Sequence, residues 1–169
     1  MILSKVTVIR ADIANLPFRV DAIVNAANNK LIPGSGVDGA LNSKAGPNLK
    51  KDMLAFNGTP TGTAVYTNAY NLKADYVIHA VGPRYVDGHS GEEALLTSAY
   101  NAVMVWAKRL KLWTIAVPFL STGVYGYPLY EAIWIAIETI KKSDADTEAF
   151  LVAFDSRTEE IAKSILEEN

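Results

Sequence analysis

A three-layer α/β/α sandwich on a mixed central sheet is the fold class the sequence predicts, on three observations. Short β-branched runs alternate with longer stretches of helical period. Several of those runs are apolar on both faces, as strands covered from both sides are. Early in the chain, successive strands follow one another without a crossover helix, so the sheet cannot be purely parallel.

The strands are read at Val6 to Ile9, Ala22 to Val24, Thr63 to Thr67, Tyr76 to Ala80, Thr114 to Pro118 and Phe150 to Phe154. A helix starts at Val37 or Asp38, fed by a glycine-rich loop. Pro47 suits the first position of a helix over 47–56, and Asn57-Gly58 supplies its stop. Ala94, Leu95, Ala99, Ala102, Val103, Trp106 and Leu110 form a long amphipathic stripe. Ile133, Ile137 and Ile140 repeat the pattern after Pro128, and Ile161, Ile165 and Leu166 close it. Trp106, Trp113 and Trp134 fall on or beside these stripes and are expected in core or rim packing. Residues 1–169 read as one domain, since no linker, repeat or low-complexity tract interrupts them.

Composition removes several function classes. The net charge is −2, with no basic run beyond lysine or arginine pairs, so nucleic acid is not an expected partner. With no cysteine, disulfides, thiolate catalysis and cysteine zinc sites are excluded. The two histidines, His79 in an apolar strand and His89 in a glycine-flanked loop, make a poor metal set, and neither a metal nor a cofactor is expected. Met1 to Arg10 turns polar too soon for a signal peptide, and no apolar run reaches a membrane span. A cytoplasmic monomer is the expectation.

Gly34-Ser35-Gly36-Val37-Asp38-Gly39 satisfies G-x-G-x-x-G letter for letter. A dinucleotide fingerprint needs a strand running directly into the glycines and an acidic residue about 20 positions on at a strand end. Here Asn25 to Ile32 intervene, and the downstream position falls in a helical pattern. A nicotinamide-dependent oxidoreductase is therefore disfavoured. Ser121-Thr122-Gly123-Val124-Tyr125-Gly126 forms a second strand, glycine loop and helix unit. Two such loops offer two places where backbone N–H groups converge on anions, and neither carries the lysine of a nucleotide-triphosphate loop. A diphosphate held by backbone donors is the ligand chemistry this favours.

Four motifs, in order along essentially the whole chain, resemble the macrodomain family: Val24 to Asn28, Gly34 to Ala40, His79 to Pro83 and Leu120 to Gly126. The match is nearest to its hydrolytic MacroD-like subgroup. The resemblance implies ADP-ribose as ligand and mono-ADP-ribosylated proteins as partners. It implies that Asp12 receives the adenine amino group with Ile13 beside it, and that Phe154 packs on the adenine face. It implies that Asn25, of the Asn-Ala-Ala-Asn motif, is a ligand-binding residue, and that Gly34, Ser35, Gly36 and Val37 wrap the diphosphate together with Ser121, Thr122, Gly123, Val124 and Tyr125. Asn28 would hold the distal ribose, Asp38 would stand near its anomeric carbon, and Tyr125 would cover that sugar. The implied reaction is removal of mono-ADP-ribose from aspartate and glutamate side chains, with deacetylation of O-acetyl-ADP-ribose as related chemistry. A module that only binds ADP-ribose is the alternative.

Each residue also has a purely structural reading. Asp12 can cap a turn ahead of Ala14, Asp38 can be a helix N-cap, Asn28 can bond its own loop, and Phe154 and Tyr125 can be core or lid aromatics. His79 reads as a buried, hydrogen-bonded strand residue. Some positions depart from the hydrolytic subgroup. Ser35 replaces a glycine, removing freedom to adopt positive φ, Pro33 stiffens the loop entrance, Asn42 stands where histidine is common, and Ala11 precedes Asp12 where glycine is common. Ser35, Ala11 and Asn42 are shared with viral members.

Overall fold

The computed structural model describes residues 5–168. Six strands, β1 (Val6–Arg10), β2 (Ala22–Ala26), β3 (Ala64–Asn68), β4 (Tyr76–Ala80), β5 (Thr114–Pro118) and β6 (Glu148–Ala153), form one sheet in the order β1-β6-β5-β2-β4-β3. All neighbours are parallel except β3, which runs antiparallel to β4. The antiparallel edge is where the sequence has two strands without a helix between them. The mixed α/β fold is thus the expected one.

Side-chain alternation divides the strands between two cores. Ala22 and Val24 of β2, Ile78 of β4 and Ile115 and Val117 of β5 face one layer, against α3 (Glu92–Arg109), α4 (Leu129–Lys142) and α5 (Ser156–Glu168). Ile23, Val77, Ala116 and Val152 face the other, against α1 (Gly36–Ala45) and α2 (Pro47–Ala55). By the same parity, Asn25 and His79 project toward the α1 and α2 layer.

Several boundaries move. The second strand extends through Asn25 and Ala26, because Asn25 is paired with His79 in the β2–β4 register. Burial in a hydrogen-bonded ladder overrides the poor strand propensity of asparagine. The last strand stops at Ala153, which leaves Phe154 beyond the sheet. Trp106 packs at the rim as expected, donating its indole N–H to the Ala64 carbonyl at 2.9 Å and meeting the Tyr66 ring at 4.8 Å. Trp113 is not a core residue: it is 80% exposed, immediately before β5.

One buried phenol fixes the exit of β5. Tyr100 of α3 is fully buried, and its hydroxyl accepts the Leu120 N–H at 2.8 Å while donating to the Pro118 carbonyl at 3.3 Å. The loop that starts at Phe119 is thereby tied to the helix layer. Tyr100→Phe leaves the Leu120 N–H buried without an acceptor, and is expected to cost about 1–3 kcal/mol, read as a lowered urea midpoint at unchanged m-value.

Candidate functional site

Because β1, β6, β5, β2 and β4 are mutually parallel, their carboxyl ends lie along one edge. Chain order scatters the predicted residues, and strand order lines them up. Asp12 and Ile13 follow β1, Phe154 follows β6, Ser121 to Tyr125 follow β5, and Asn28 and Gly34 to Asp38 follow β2. From β1 to β2 is three strand spacings, roughly 14 Å. Loops at the carboxyl ends of parallel strands are where α/β sheets place ligands.

Asp38 is the most constrained group on this edge. Its carboxylate is buried, and three donors reach it: Asn25 Nδ2 at 2.9 Å and Asn42 Nδ2 at 3.0 Å, both to Oδ1, and the Gly34 N–H at 3.1 Å to Oδ2. Burial pushes its pKa above the ordinary carboxylate value, and the hydrogen bonds from Asn25, Gly34 and Asn42 oppose that rise. Asp38 is not the N-cap. Ser35 occupies that position, and Asp38 lies three residues on, reaching back to the Gly34 N–H.

Behind Asp38 runs a buried polar chain. Asn25 Nδ2 also donates to His79 Nδ1 at 3.1 Å, and His79 Nε2 lies 2.9 Å from Thr67 Oγ1. Thr67 Oγ1 gives its own hydrogen to the Asn68 carbonyl at 3.0 Å, so it accepts from His79, which is therefore protonated on Nε2. Burial lowers the His79 pKa to about 3, which keeps the ring neutral. His79 is thus the buried, hydrogen-bonded strand residue its sequence context predicts. Asn25 is wholly buried, and both its amide hydrogens are used inside the protein. It therefore lies beneath the edge, without surface to meet a ligand, and acts as the support of Asp38.

Other predicted residues divide between edge and loop. Asn28 closes its own loop: Nδ2 donates to the Ile32 carbonyl at 2.7 Å, and Oδ1 accepts from the N–H groups of Lys30 and Ile32. A Cβ on Gly34 would stand 3.7 Å from Asn28 Nδ2 and 3.9 Å from Asp38 Oδ2, which puts both side chains beside that glycine. Asp12 caps the 3-10 turn Ile13–Asn15 through the Ala14 N–H at 2.9 Å, and Ile13 is buried beneath. Phe154 and Val124 are 82% and 88% exposed, so neither is a core residue. Ser121 has φ of 69°, a backbone state that costs a non-glycine residue of order 1–3 kcal/mol. Its buried hydroxyl is without a partner among the described residues, and a Cβ on Gly82 would collide with it. Thr122 turns inward, donating to the Phe119 carbonyl at 2.7 Å.

Two strips of backbone donors are free. Among the described residues nothing in the protein accepts from the N–H groups of Ser35, Gly36 and Val37, or from those of Gly123, Val124 and Tyr125. Such rows of backbone N–H suit anionic oxygen. The positive φ of this turn falls on Gly36, at 60°, whereas Ser35 sits at −100°. Serine therefore enters the loop without backbone strain. Gly39 is required for a different reason, since a Cβ there would lie 2.7 Å from the Gly34 carbonyl oxygen.

A family model described as Macro domain matches residues 24–136. The chain belongs to the macro domain family. A macro domain-containing protein of Methanosarcina mazei is 42% identical, with 90% of this chain and 82% of that one covered. A Pantoea vagans protein named O-acetyl-ADP-ribose deacetylase 1 is 39% identical over 97% of this chain and 99% of its own. Among solved structures, a mutant of the Oceanobacillus iheyensis macrodomain with ADPR has a TM-score of 0.88 at 33% identity, covering 96% of this chain and 92% of that one.

Two features of this macro domain escape sequence reasoning. Arg84 stacks its guanidinium on the Tyr125 ring at 4.9 Å, placing a cation beside the second loop; its position directly after Gly82-Pro83 was the available signal. The chain from Thr67 through His79 and Asn25 to Asp38 joins four elements, and only strand register brings its members together. Among the described residues, no helix is long and apolar enough to cross a membrane.

The neutral His79 gives this macro domain a specific acid sensitivity. The folded pKa, about 3, lies below the unfolded value of 6.5, so its contribution is complete above pH 6.5 and is lost as pH falls toward 3. Between about pH 6 and pH 4, wild type is expected to lose close to 1.4 kcal/mol per pH unit more than His79→Gln. Urea denaturation of both proteins across that range measures the difference, and parallel slopes would show that His79 protonates freely in the folded state.

Proposed function

We propose that this macro domain binds ADP-ribose along the carboxyl edge of its sheet and hydrolyses mono-ADP-ribose esters of aspartate and glutamate side chains. The carrying observation is the buried Asp38 carboxylate, anchored by three donors at the end of a loop whose Ser35, Gly36 and Val37 N–H groups are free. The diphosphate lies between the 34–37 and 121–125 loops. Asp12 and the exposed Phe154 ring take the adenine, which an aromatic face binds at little entropic cost. Tyr125 covers the distal ribose, and Asn28 orients it through the amide hydrogen that Ile32 leaves unused.

Asp38 Oδ2 accepts one hydrogen bond, from Gly34, and has a second lone pair for water. The carboxylate takes a proton from that water as its oxygen bonds either to the anomeric carbon or to the ester carbonyl. In the first case the carbon–oxygen bond to the acceptor breaks and the protein carboxylate leaves with the electron pair. In the second the acyl–oxygen bond breaks and the ribose hydroxyl leaves with the proton. The phosphate of the ligand is the rival base. Burial of Asp38 suits the role, because a raised pKa makes a carboxylate a better base. An acetyl ester of ADP-ribose presents the same bonds, and the name of the Pantoea vagans relative favours this second substrate.

The test is release of ADP-ribose from a protein modified on aspartate or glutamate, in ¹⁸O-water, by wild type and Asp38→Ala. The expected result is a rate lowered roughly 10²–10⁴-fold by the substitution, with ADP-ribose still bound by calorimetry. Label in the acceptor carboxylate identifies attack at the carbonyl, and an unlabelled acceptor identifies attack at the anomeric carbon. Wild type that binds ADP-ribose without turnover makes the domain a reader and overturns the hydrolase.

Asn42 gives the reaction a second signature. Its amide donates to Asp38 and does not titrate, and His79 is neutral down to about pH 3. The rate is therefore expected to rise with pH through the raised Asp38 pKa and then level, without an imidazole limb. A pH–rate profile with a second ionisation near 6–7 would place a group other than these in control.

A further inference from the structure

We propose that the cavity between the 83–91 loop and α4 binds an organic cation of the alkylammonium or guanidinium class. Tyr85, Tyr127, Tyr130 and Trp134 line it together with the carboxylates of Glu93 and Glu131, and its volume is about 430 Å³. That volume is within the range of small-molecule pockets. Aromatic faces attract cations through the ring quadrupole, and carboxylates supply the opposite charge.

The two carboxylates are uncompensated. Among the described residues the ion pairs are Arg19–Asp75, Lys108–Asp144 and Lys163–Glu159, none of which involves Glu93 or Glu131. No lysine or arginine is among the residues that line the cavity, and Arg84, next to Tyr85 in the chain, is engaged on the Tyr125 ring. Both glutamates lie in the first turns of helices, where the helix dipole favours acidic residues. The dipole explains their sign and core packing explains Tyr127 and Tyr85, but neither explains the exposed Tyr130 and Trp134 rings beside them. Tyr130 and Trp134 are 53% and 42% exposed on successive turns of α4, which leaves both side chains open at the rim of the cavity.

The opposite wall is held in advance. The Glu92 carboxylate accepts from the N–H groups of Val86, Asp87, Gly88 and Ser90, which fixes the loop. Gly88, at φ of 80°, approaches Tyr85 so closely that a Cβ would stand 2.7 Å from the phenol oxygen. The Tyr85 and Tyr127 rings meet at 4.9 Å. A rigid wall lowers the ordering cost of binding. The organic class follows from size and ligands: no group of three metal-ligating side chains exists among the described residues, and the space far exceeds a bare ion.

The cavity adjoins the edge site without sharing its surface. Tyr85 donates its N–H to the Tyr125 carbonyl at 2.9 Å, and Tyr127 is two residues beyond Tyr125. A free small cation or a basic side chain of a protein held at the edge could fill it, and both present the same chemistry.

The experiment is NMR titration of the whole chain with choline, with its neutral isostere 3,3-dimethylbutan-1-ol, and with the N-acetyl methylamides of lysine and arginine, reading the Gly88 backbone amide signal in every protein and the Trp134 indole signal where it is present. Choline is expected to bind saturably and roughly tenfold more tightly than the alcohol. Glu131→Gln and Trp134→Ala, both at exposed positions, are each expected to weaken choline several-fold while the Trp106 indole signal stays unchanged. Binding of the amides with the same variant dependence identifies a basic side chain as the source, and binding of choline alone identifies a free cation. Equal binding of choline and the alcohol, or choline binding unchanged in both variants, overturns the proposal, and neither outcome depends on ADP-ribose.

Discussion

The carboxamide of Asn25 joins the sheet to the helix that carries Asp38, and the edge is organised around that join. One nitrogen donates two hydrogens, to Asp38 Oδ1 and His79 Nδ1, from a fully buried position. Its orientation is forced by charge: the reverse arrangement would face an amide oxygen toward the carboxylate and leave the imidazole nitrogen without a donor. The Oδ1 atom is consequently left without a partner among the described residues. Leaving a buried polar atom unpaired costs of order 1–3 kcal/mol, which the structure tolerates here to hold a carboxylate where burial alone would protonate it more readily.

That join works only because the strands around it are fixed. Register pairs Asn25 with His79, and antiparallel β3 brings Thr67 within reach of the far imidazole nitrogen. Histidine must be neutral for the chain of donors to run in one direction, and burial makes it so. On the neighbouring strand the same economy appears with other groups. Tyr100 anchors the backbone at Pro118 and Leu120, and the following residue, Ser121, takes up a positive φ. The strain is local, and the anchoring is supplied from a helix on the opposite face.

Much of the fold was legible because period and capping chemistry are local. Pro47, Pro128 and the β-branched runs announce their elements within a few residues. The site was legible to the extent that it consists of loops at strand ends, where glycines and Asn-Ala-Ala-Asn stand out. What could not be read was contact across register. Nothing near Asn25 in the chain says that it is a strand residue paired with His79, 54 positions away. Nor does the helix pattern say that Asp38 is at the third helical position, since Ser35, Gly36 and Asp38 are each acceptable starts. Trp113 misleads for the same reason: an apolar neighbourhood in sequence does not guarantee a partner in space, and it is left exposed.

Ser35 and Asn42, the departures from the hydrolytic pattern closest to Asp38, have different physical weight. Ser35 is neutral to the loop because the left-handed backbone is carried by Gly36, one residue on. The serine changes what the loop offers, an exposed hydroxyl beside free N–H groups, without changing its shape. Asn42 changes the electrostatics. A histidine at that position could bring a proton and a charge to Asp38, whereas an amide brings a fixed neutral dipole to Oδ1 and to the Asp38 carbonyl. The carboxylate is thereby stabilised by dipoles alone, from Asn25, Gly34 and Asn42, and no described contact pairs it with a cation. A buried carboxylate so held stays close to its point of protonation, and small changes in its surroundings, including arrival of a diphosphate, shift it further in the direction burial has already set.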